Sequence, residues 1–218
     1  MSGDFDFEPI PGIPAPLPVG ERLLWQGAPR WQLLAVRAFH VRKVALYFAV
    51  LVGIRFTHFL NADIGALASA RQCLALALLG LAGVGLLTLL AYASARATVY
   101  SITSRRVLIR HGIAVPMTLN IPFALIEAAN VRFHAGRSGQ IALELAGRNR
   151  VSYLLNWPYV RPGRFTHPEP MLRALADAEP ARLILGDALA RSTGNLVTAG
   201  VASPSGSGPE PTRTSAAA

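Results

Sequence analysis

The chain reads as an α+β membrane protein. A two-helix transmembrane hairpin comes first, followed by a cytoplasmic antiparallel β-domain, a barrel or sandwich capped by a C-terminal helix. Three features support this. Residues 73–95, CLALALLGLAGVGLLTLLAYASA, contain no charged side chain. At 1.5 Å per residue they reach about 34 Å, enough for a hydrocarbon core of about 30 Å, and they are apolar all round, unlike an amphipathic surface helix. Residues 44–60, VALYFAVLVGIRFTHFL, form a shorter apolar run ahead of them. Beyond residue 97 the pattern changes to short alternating segments separated by glycines, as in antiparallel sandwiches and barrels.

Composition narrows the functional classes. The formal net charge is +9, nearly all from arginine, with Lys43 the only lysine. Beside membrane spans, such a balance points to anionic headgroups and not to nucleic acid. The single cysteine, Cys73, excludes an internal disulfide framework and cannot alone form a thiolate metal site. The opening MSGDFDFEPIPG has neither a basic n-region nor an apolar h-region, so the first span is expected to act as an uncleaved anchor.

Residues 1–28 are read as an extended arm, with prolines at 9, 11, 14, 16 and 18 opposing a helix. Phe5, Phe7 and Ile10 are its potential anchors, and residues 21–27, ERLLWQG, form a short apolar patch. Residues 29–43 are expected to form an interfacial amphipathic helix. Trp31, Leu34, Ala35, Ala38 and Phe39 recur at helical spacing, while Arg30, Arg37, Arg42 and Lys43 supply charge. His40 in this stretch is read as a solvated or hydrogen-bonded side chain.

The transmembrane hairpin is assigned to residues 44–96, with spans at 44–60 and 73–95 joined by the loop 61–72. Arg55 either snorkels to the far interface or meets a partner inside the membrane. Arg37, Arg42 and Lys43 precede the first span, and Arg96, Arg105 and Arg106 follow the second; the loop offers only Arg71. The positive-inside rule then places both termini of this multi-pass chain in the cytoplasm and the loop outside; in a bacterium the membrane would be the inner one and the loop periplasmic.

Residues 97–178 are assigned to the β-domain and its closing helix. Strands are expected at 97–103, 106–111, 113–121, 140–145 and 151–155, while LIEAANVRFH at 125–134 fits a strand or a helical turn. PEPMLRALADA at 168–178 reads as the closing helix, and 179–191 as a second helix. Residues 192–218 have the composition of a disordered tail.

No phosphate loop, dinucleotide fingerprint, zinc-protease or nucleophile-elbow motif is present, and the five histidines are scattered. The chain is therefore expected to be non-enzymatic, with no cofactor. The candidate contacts are basic and aromatic. Arg42, Lys43, Arg96, Arg105, Arg106 and Arg110 would meet headgroups or a partner. Trp157 and Tyr159, in NWPYVRPGR, would either anchor an interface or pack on their own domain. Gly80 and Gly83 are candidates for close helix packing.

The run TVYSITSRRVLIRHG at 98–112, with IPFALI at 121–126 and the glycine-led strand from Gly139, resembles bacterial pleckstrin-homology (PH)-like domains. That resemblance implies about seven strands, a C-terminal helix and binding without catalysis. Over most of its length to Arg191 the chain is also similar to the PuhB family of photosynthetic reaction-centre assembly proteins of purple bacteria. The matching stretches are GERLLWQG (20–27), FHVRK (39–43), TSRRV (103–107), VPMTLNIPF (115–123) and PEPMLR (168–173). This implies an assembly factor whose partners are reaction-centre or core-antenna subunits and membrane lipids, with self-association and no nucleic acid. The rival reading is a membrane-tethered PH-like module binding anionic lipid or envelope proteins. A third, pigment ligation by His40 or His58, has only the lone histidines behind it.

Overall fold

The computed structural model describes residues 12–13, 15–61, 65–134, 136–147 and 151–201. Phe5, Phe7 and Ile10 of the arm, the middle of the 61–72 loop and residues 202–218 of the tail lie outside them. The chain runs β1 (Leu23–Gly27), α1 (Trp31–Arg37), α2 (Val41–Asn61), α3 (Ala66–Arg96), β2 (Val99–Thr103), β3 (Arg106–His111), β4 (Met117–Pro122), a 3-10 turn (Phe123–Leu125), β5 (Ile126–Phe133), β6 (Gly139–Leu145), α4 (Tyr153–Asn156), β7 (Met171–Leu175) and α5 (Glu179–Val201).

The seven strands form two antiparallel sheets, ordered β1-β2-β3-β4 and β5-β6-β7, and not one closed barrel. Tyr100, Ile102, Val107, Ile109 and Ile121 of the first sheet share a core with Ile141, Leu143 and Leu172 of the second and with Ala181, Leu185 and Ala188 of α5. The β-branched content of VYSIT and RVLIRH suits this half-buried pleat, and their strands match the expected bounds closely. β5 resolves the ambiguity at 125–134 in favour of a strand, paired along its length with β6.

Residues 23–27 do not belong to the expected arm but form β1: Gly27 pairs with Tyr100 and Leu23 with Thr103. The helices are therefore inserted between two neighbouring strands and do not precede the β-domain. The expected helix over 29–43 is α1 followed by a break at residues 38–40. Phe39 is buried there, His40 takes a left-handed conformation (φ 53°), and the His40 carbonyl accepts from Lys43 N–H at the start of α2. Burial of Phe39 outweighs the continuous helical pattern.

Two further assignments change. Residues 168–178 are not the closing helix, because Met171–Leu175 is strand β7, buried at all five positions. Pairing with β6 on one edge and packing of α1 against it override the helical propensity of Met, Leu and Ala. The closing role passes to α5, which takes in the expected 179–191 helix and runs through the first part of the expected tail to Val201. Residues 151–155 are not a strand: α4 forms there, its turn closed by Asn156 Nδ2 donating to the Ser152 carbonyl at 2.9 Å.

α2 and α3 pack side by side and run antiparallel, with Ala45 and Phe48 opposite Leu81 and Val84, and Arg55 and His58 opposite Gln72 and Leu76. Among the described helices, one is long and apolar enough to cross a membrane: α3 over Leu67–Arg96, of whose apolar window only 11% is buried in the protein. That low burial separates it from the core helix of a soluble fold. α2 is shorter, at 21 residues, and carries Arg42, Lys43 and Arg55.

Arg173 joins these parts. It is 7% exposed on β7. One guanidinium nitrogen donates to the Pro158 carbonyl and another to the Arg37 carbonyl at the end of α1, both at 2.9 Å. Its backbone N–H and C=O are both satisfied by the Tyr100 hydroxyl, at 3.1 and 3.0 Å. Replacement by methionine keeps most of the stem volume but leaves two inward-facing carbonyls without a donor. Arg173→Met is expected to cost about 1–3 kcal/mol, read as a lower Tm in thermal unfolding followed by circular dichroism, with Arg173→Lys intermediate.

Candidate functional site

The residues singled out by the sequence converge on the junction between helices and β-domain. β2 begins three residues after α3 ends, and Val99 pairs with Arg110, so the start of β2 and the end of β3 lie where the helices enter. Tyr159 is buried in that junction. Its hydroxyl donates to the Ser94 carbonyl of α3 at 3.1 Å and accepts from Thr98 Oγ1 at 2.6 Å. Its ring meets Tyr100 edge-on at 6.0 Å and His111 at 5.4 Å. Burial raises the hydroxyl pKa of Tyr159 and of Tyr100, so both act as neutral hydrogen-bonding groups. Of the two readings of Tyr159, packing within its own chain is the one realised.

Trp157 is half-exposed and packs edge-to-face on Phe39 at 5.1 Å, between α1 and α2. Trp31 meets Tyr92 of α3 edge-on at 6.1 Å, and the Arg96 guanidinium lies over the same ring at 5.6 Å. Arg42 and Lys43 are exposed on the first turn of α2. The junction thus carries Trp and Tyr rings with cations beside them, the composition of a membrane–water boundary.

The expected basic cluster of Arg96, Arg105, Arg106 and Arg110 is not brought together. Arg106 begins β3 and Arg110 lies four residues along it, so they stand about 13 Å apart. Arg110 is 7% exposed, in contrast to Arg96. Arg105 and Arg106 lie at the end of the sheet away from the helices. Arg106 is bound there by Glu21, its Nε and Nη2 donating to the two carboxylate oxygens at 2.8 and 2.6 Å. This hydrogen bonding, against the cost of burial, holds the Glu21 carboxyl below the usual value.

A basic site that sequence spacing missed lies on the second sheet. Arg132, Arg161 and Arg164 line a polar cavity of about 580 Å³ with Asn130 and Gln140, floored by Ala142 and Met171. Glu169 pairs with Arg161 and Arg164 at 2.9 and 3.0 Å, leaving three guanidinium groups against one carboxylate. Arg132 comes from β5, while Arg161 and Arg164 come from the loop before β7. Only the fold of that loop over the sheet joins them. Among sequence signals, the RPGR within NWPYVRPGR was the nearest pointer.

The two candidate glycines divide. A Cβ on Gly80 would lie 2.7 Å from the Phe48 ring, whereas nothing stands within 4 Å of one on Gly83. Gly80 lets α2 approach α3, and Gly83 lies on an uncovered face. Arg55, exposed near the other end of α2, lies over the Phe59 ring at 4.9 Å.

Two outcomes follow from these contacts. Gly80→Leu is expected to overpack the helical pair by about 1–3 kcal/mol, read as a lower Tm in detergent, while Gly83→Leu leaves Tm unchanged. The Glu21 pKa is lower folded than unfolded, so its pair contributes stability above pH 4.5, the ordinary carboxylate value, and loses it as pH falls through the folded value. Glu21→Gln is expected to cost about 1–2 kcal/mol at pH 7, and unfolding curves of variant and parent should converge at acid pH.

Comparison with known proteins places this architecture. The bacterial PH domain family matches residues 38–188, a span that includes both long helices and all strands except β1. The chain is 40% identical over 187 residues to an uncharacterized 23.7 kDa protein in the puhA 5′ region of Rhodobacter capsulatus, covering 85% of this chain and 87% of that relative. No solved structure matches this chain. The chain belongs to the bacterial PH domain family, in the group that includes the Rhodobacter capsulatus protein.

Proposed function

We propose that the protein is a non-enzymatic assembly factor for the bacterial photosynthetic reaction centre. In this reading it is held in the inner membrane by two crossings, with both ends of the chain in the cytoplasm. The observation that carries the role is the 40% identity, over most of both chains, to a relative named for the puhA 5′ region. That position ties the pair to a gene region of the photosynthetic reaction centre, in line with the resemblance in GERLLWQG, TSRRV and VPMTLNIPF.

The topology is supported by strand pairing. β1 and β2 are hydrogen-bonded neighbours, so the chain leaves and re-enters the β-domain on one side of any membrane. If α3 crosses, the number of crossings between β1 and β2 must be even, and among the described residues α2 is the only other long helix there. Its 21 residues reach about 32 Å, with Arg42 and Lys43 at the headgroup level of one end and Arg55 toward the other. The Arg and Lys residues at the junction support a cytoplasmic position for that side.

In mechanism, the helical pair offers an uncovered face around Gly83 and Gly85, where a client transmembrane helix could approach closely. The β-domain would hold cytoplasmic parts of the client. Reaction-centre or core-antenna subunits are the proposed clients, with copies of the chain associating alongside them. A second reading, recognition of an anionic headgroup, is favoured by the arginine-lined cavity of Arg132, Arg161 and Arg164.

Deletion of the coding region in the native host tests the proposal. The near-infrared spectrum of the membranes is expected to lose reaction-centre and core-antenna bands selectively, with peripheral antenna intact. An unchanged spectrum under photosynthetic growth would overturn the assembly role and leave the headgroup reading in front.

A further inference from the structure

The end of the β-domain that faces the helical pair carries apolar side chains that no element covers. His111 at the end of β3 pairs with Met117 at the start of β4, so the turn at 112–116 projects beyond that end of the sheet. Val115 on this turn is 69% exposed, and Ile113 is exposed beside it. α4 is tied to the same place, with His111 Nε2 and Asn156 Oδ1 3.0 Å apart. Leu154 on α4 is 85% exposed, and Leu155 and the half-exposed Trp157 extend the patch toward Phe39.

Single exposed leucines are ordinary on a protein surface. A group from two adjoining loops, all at the end where α3 emerges, is a contiguous patch. We infer that the turn at 112–116 and α4 insert into the headgroup–acyl boundary of the bilayer, so that the β-domain rests on the membrane surface instead of standing off it. The inference builds on the two-crossing reading.

Bilayer lipid is the occupant because the patch is continuous with the base of α3. The turn at 112–116 joins β3 and β4, one and two strands from β2, so it lies about 5–10 Å from the point where α3 hands over to β2. Around the bases of the helices Trp31 and Tyr92 form an edge pair, Arg96 covers Tyr92, and Arg42 and Lys43 are exposed at the start of α2. Aromatic rings and cations at helix ends mark the interfacial layer. Short apolar projections flanked by such groups gain from burial in that layer without crossing it.

The test uses the full chain in nanodiscs of phosphatidylcholine and phosphatidylglycerol, with Cys73→Ser as background. Single spin labels go at Val115→Cys and Leu154→Cys, with references at Leu81→Cys on α3 and Arg105→Cys at the opposite end of the sheet. Collision rates with oxygen and with a water-soluble nickel complex are measured by power saturation. Labels at 115 and 154 are expected to show several-fold lower nickel accessibility than 105, with oxygen accessibility between 105 and 81. Nickel accessibility equal to that at 105, with 81 excluded, would overturn the proposal while leaving the crossing reading intact. Shielding of 115 and 154 from both reagents would also overturn it, assigning the patch to protein. Nickel access at 81 itself would overturn the crossing reading and the proposal with it.

Discussion

The pairing of β1 with β2 governs the rest of the molecule. These strands are neighbours in the sheet, yet residues 28–98 separate them in sequence. Everything between must leave from one end of the sheet and return to it. α1 therefore lies against β7, α2 and α3 run out and back together, and the end of α3 is delivered to the first residue of β2. A helical pair placed before the domain would have needed only a linker. Inserted between strands, it is fixed at both ends by the sheet's own hydrogen bonds.

The junction made by this insertion is a socket of buried polar groups with named partners. Tyr159 reaches the Ser94 carbonyl of α3, Tyr100 satisfies both backbone groups of Arg173, and Arg173 serves the carbonyls of Arg37 and Pro158. A buried guanidinium is costly unless its donors are used, and carbonyl groups at a helix end are suitable acceptors; both terminal nitrogens of Arg173 are used in this way, while its Nε is buried without a partner. Hydrogen bonds of this kind are directional, so the socket sets the orientation of domain and helices as well as holding them together. Small residues at the end of α3, Ala91 and Ala95, are buried together with Leu34 and Ala35 of α1, which lets the two helices approach closely.

Charge is distributed along the same axis. The cations that remain exposed near the junction, Arg42, Lys43 and Arg96, stand beside aromatic rings or at a helix end. At the far end of the sheet Arg106 is engaged by Glu21, while Arg105 is exposed. A short-range electrostatic contact with anionic lipid falls off within about 10 Å in salt, so charges at the far end of the sheet contribute little to it. The arginine-lined cavity on the second sheet is a separate concentration of positive charge, made by a loop folding over strands and only partly neutralised by Glu169.

Much of the architecture could be read from local pattern. The uncharged run in α3, the alternating strands β2, β3 and β6, and the cations flanking the helices all depend on neighbours in sequence, where periodicity and composition act directly. The resemblance in TVYSITSRRVLIRHG and IPFALI also led to the bacterial PH domain family. What local pattern could not supply was pairing over distance. LLWQG is too short to declare itself a strand without β2, and MLRAL favours a helix until β6 and α1 bury it on both sides. VSYLL alternates like a strand, yet a turn closed by Asn156 forms over its second half. Arg110 and Arg106, expected in one basic cluster, lie toward opposite ends of β3, whereas Arg132, Arg161 and Arg164 meet across strand and loop. Composition and periodicity sufficed for the apolar helices and several strands, and the resemblance for the family; the insertion, the socket and the grouping of charges arise from long-range hydrogen bonds and burial, which no window of sequence contains.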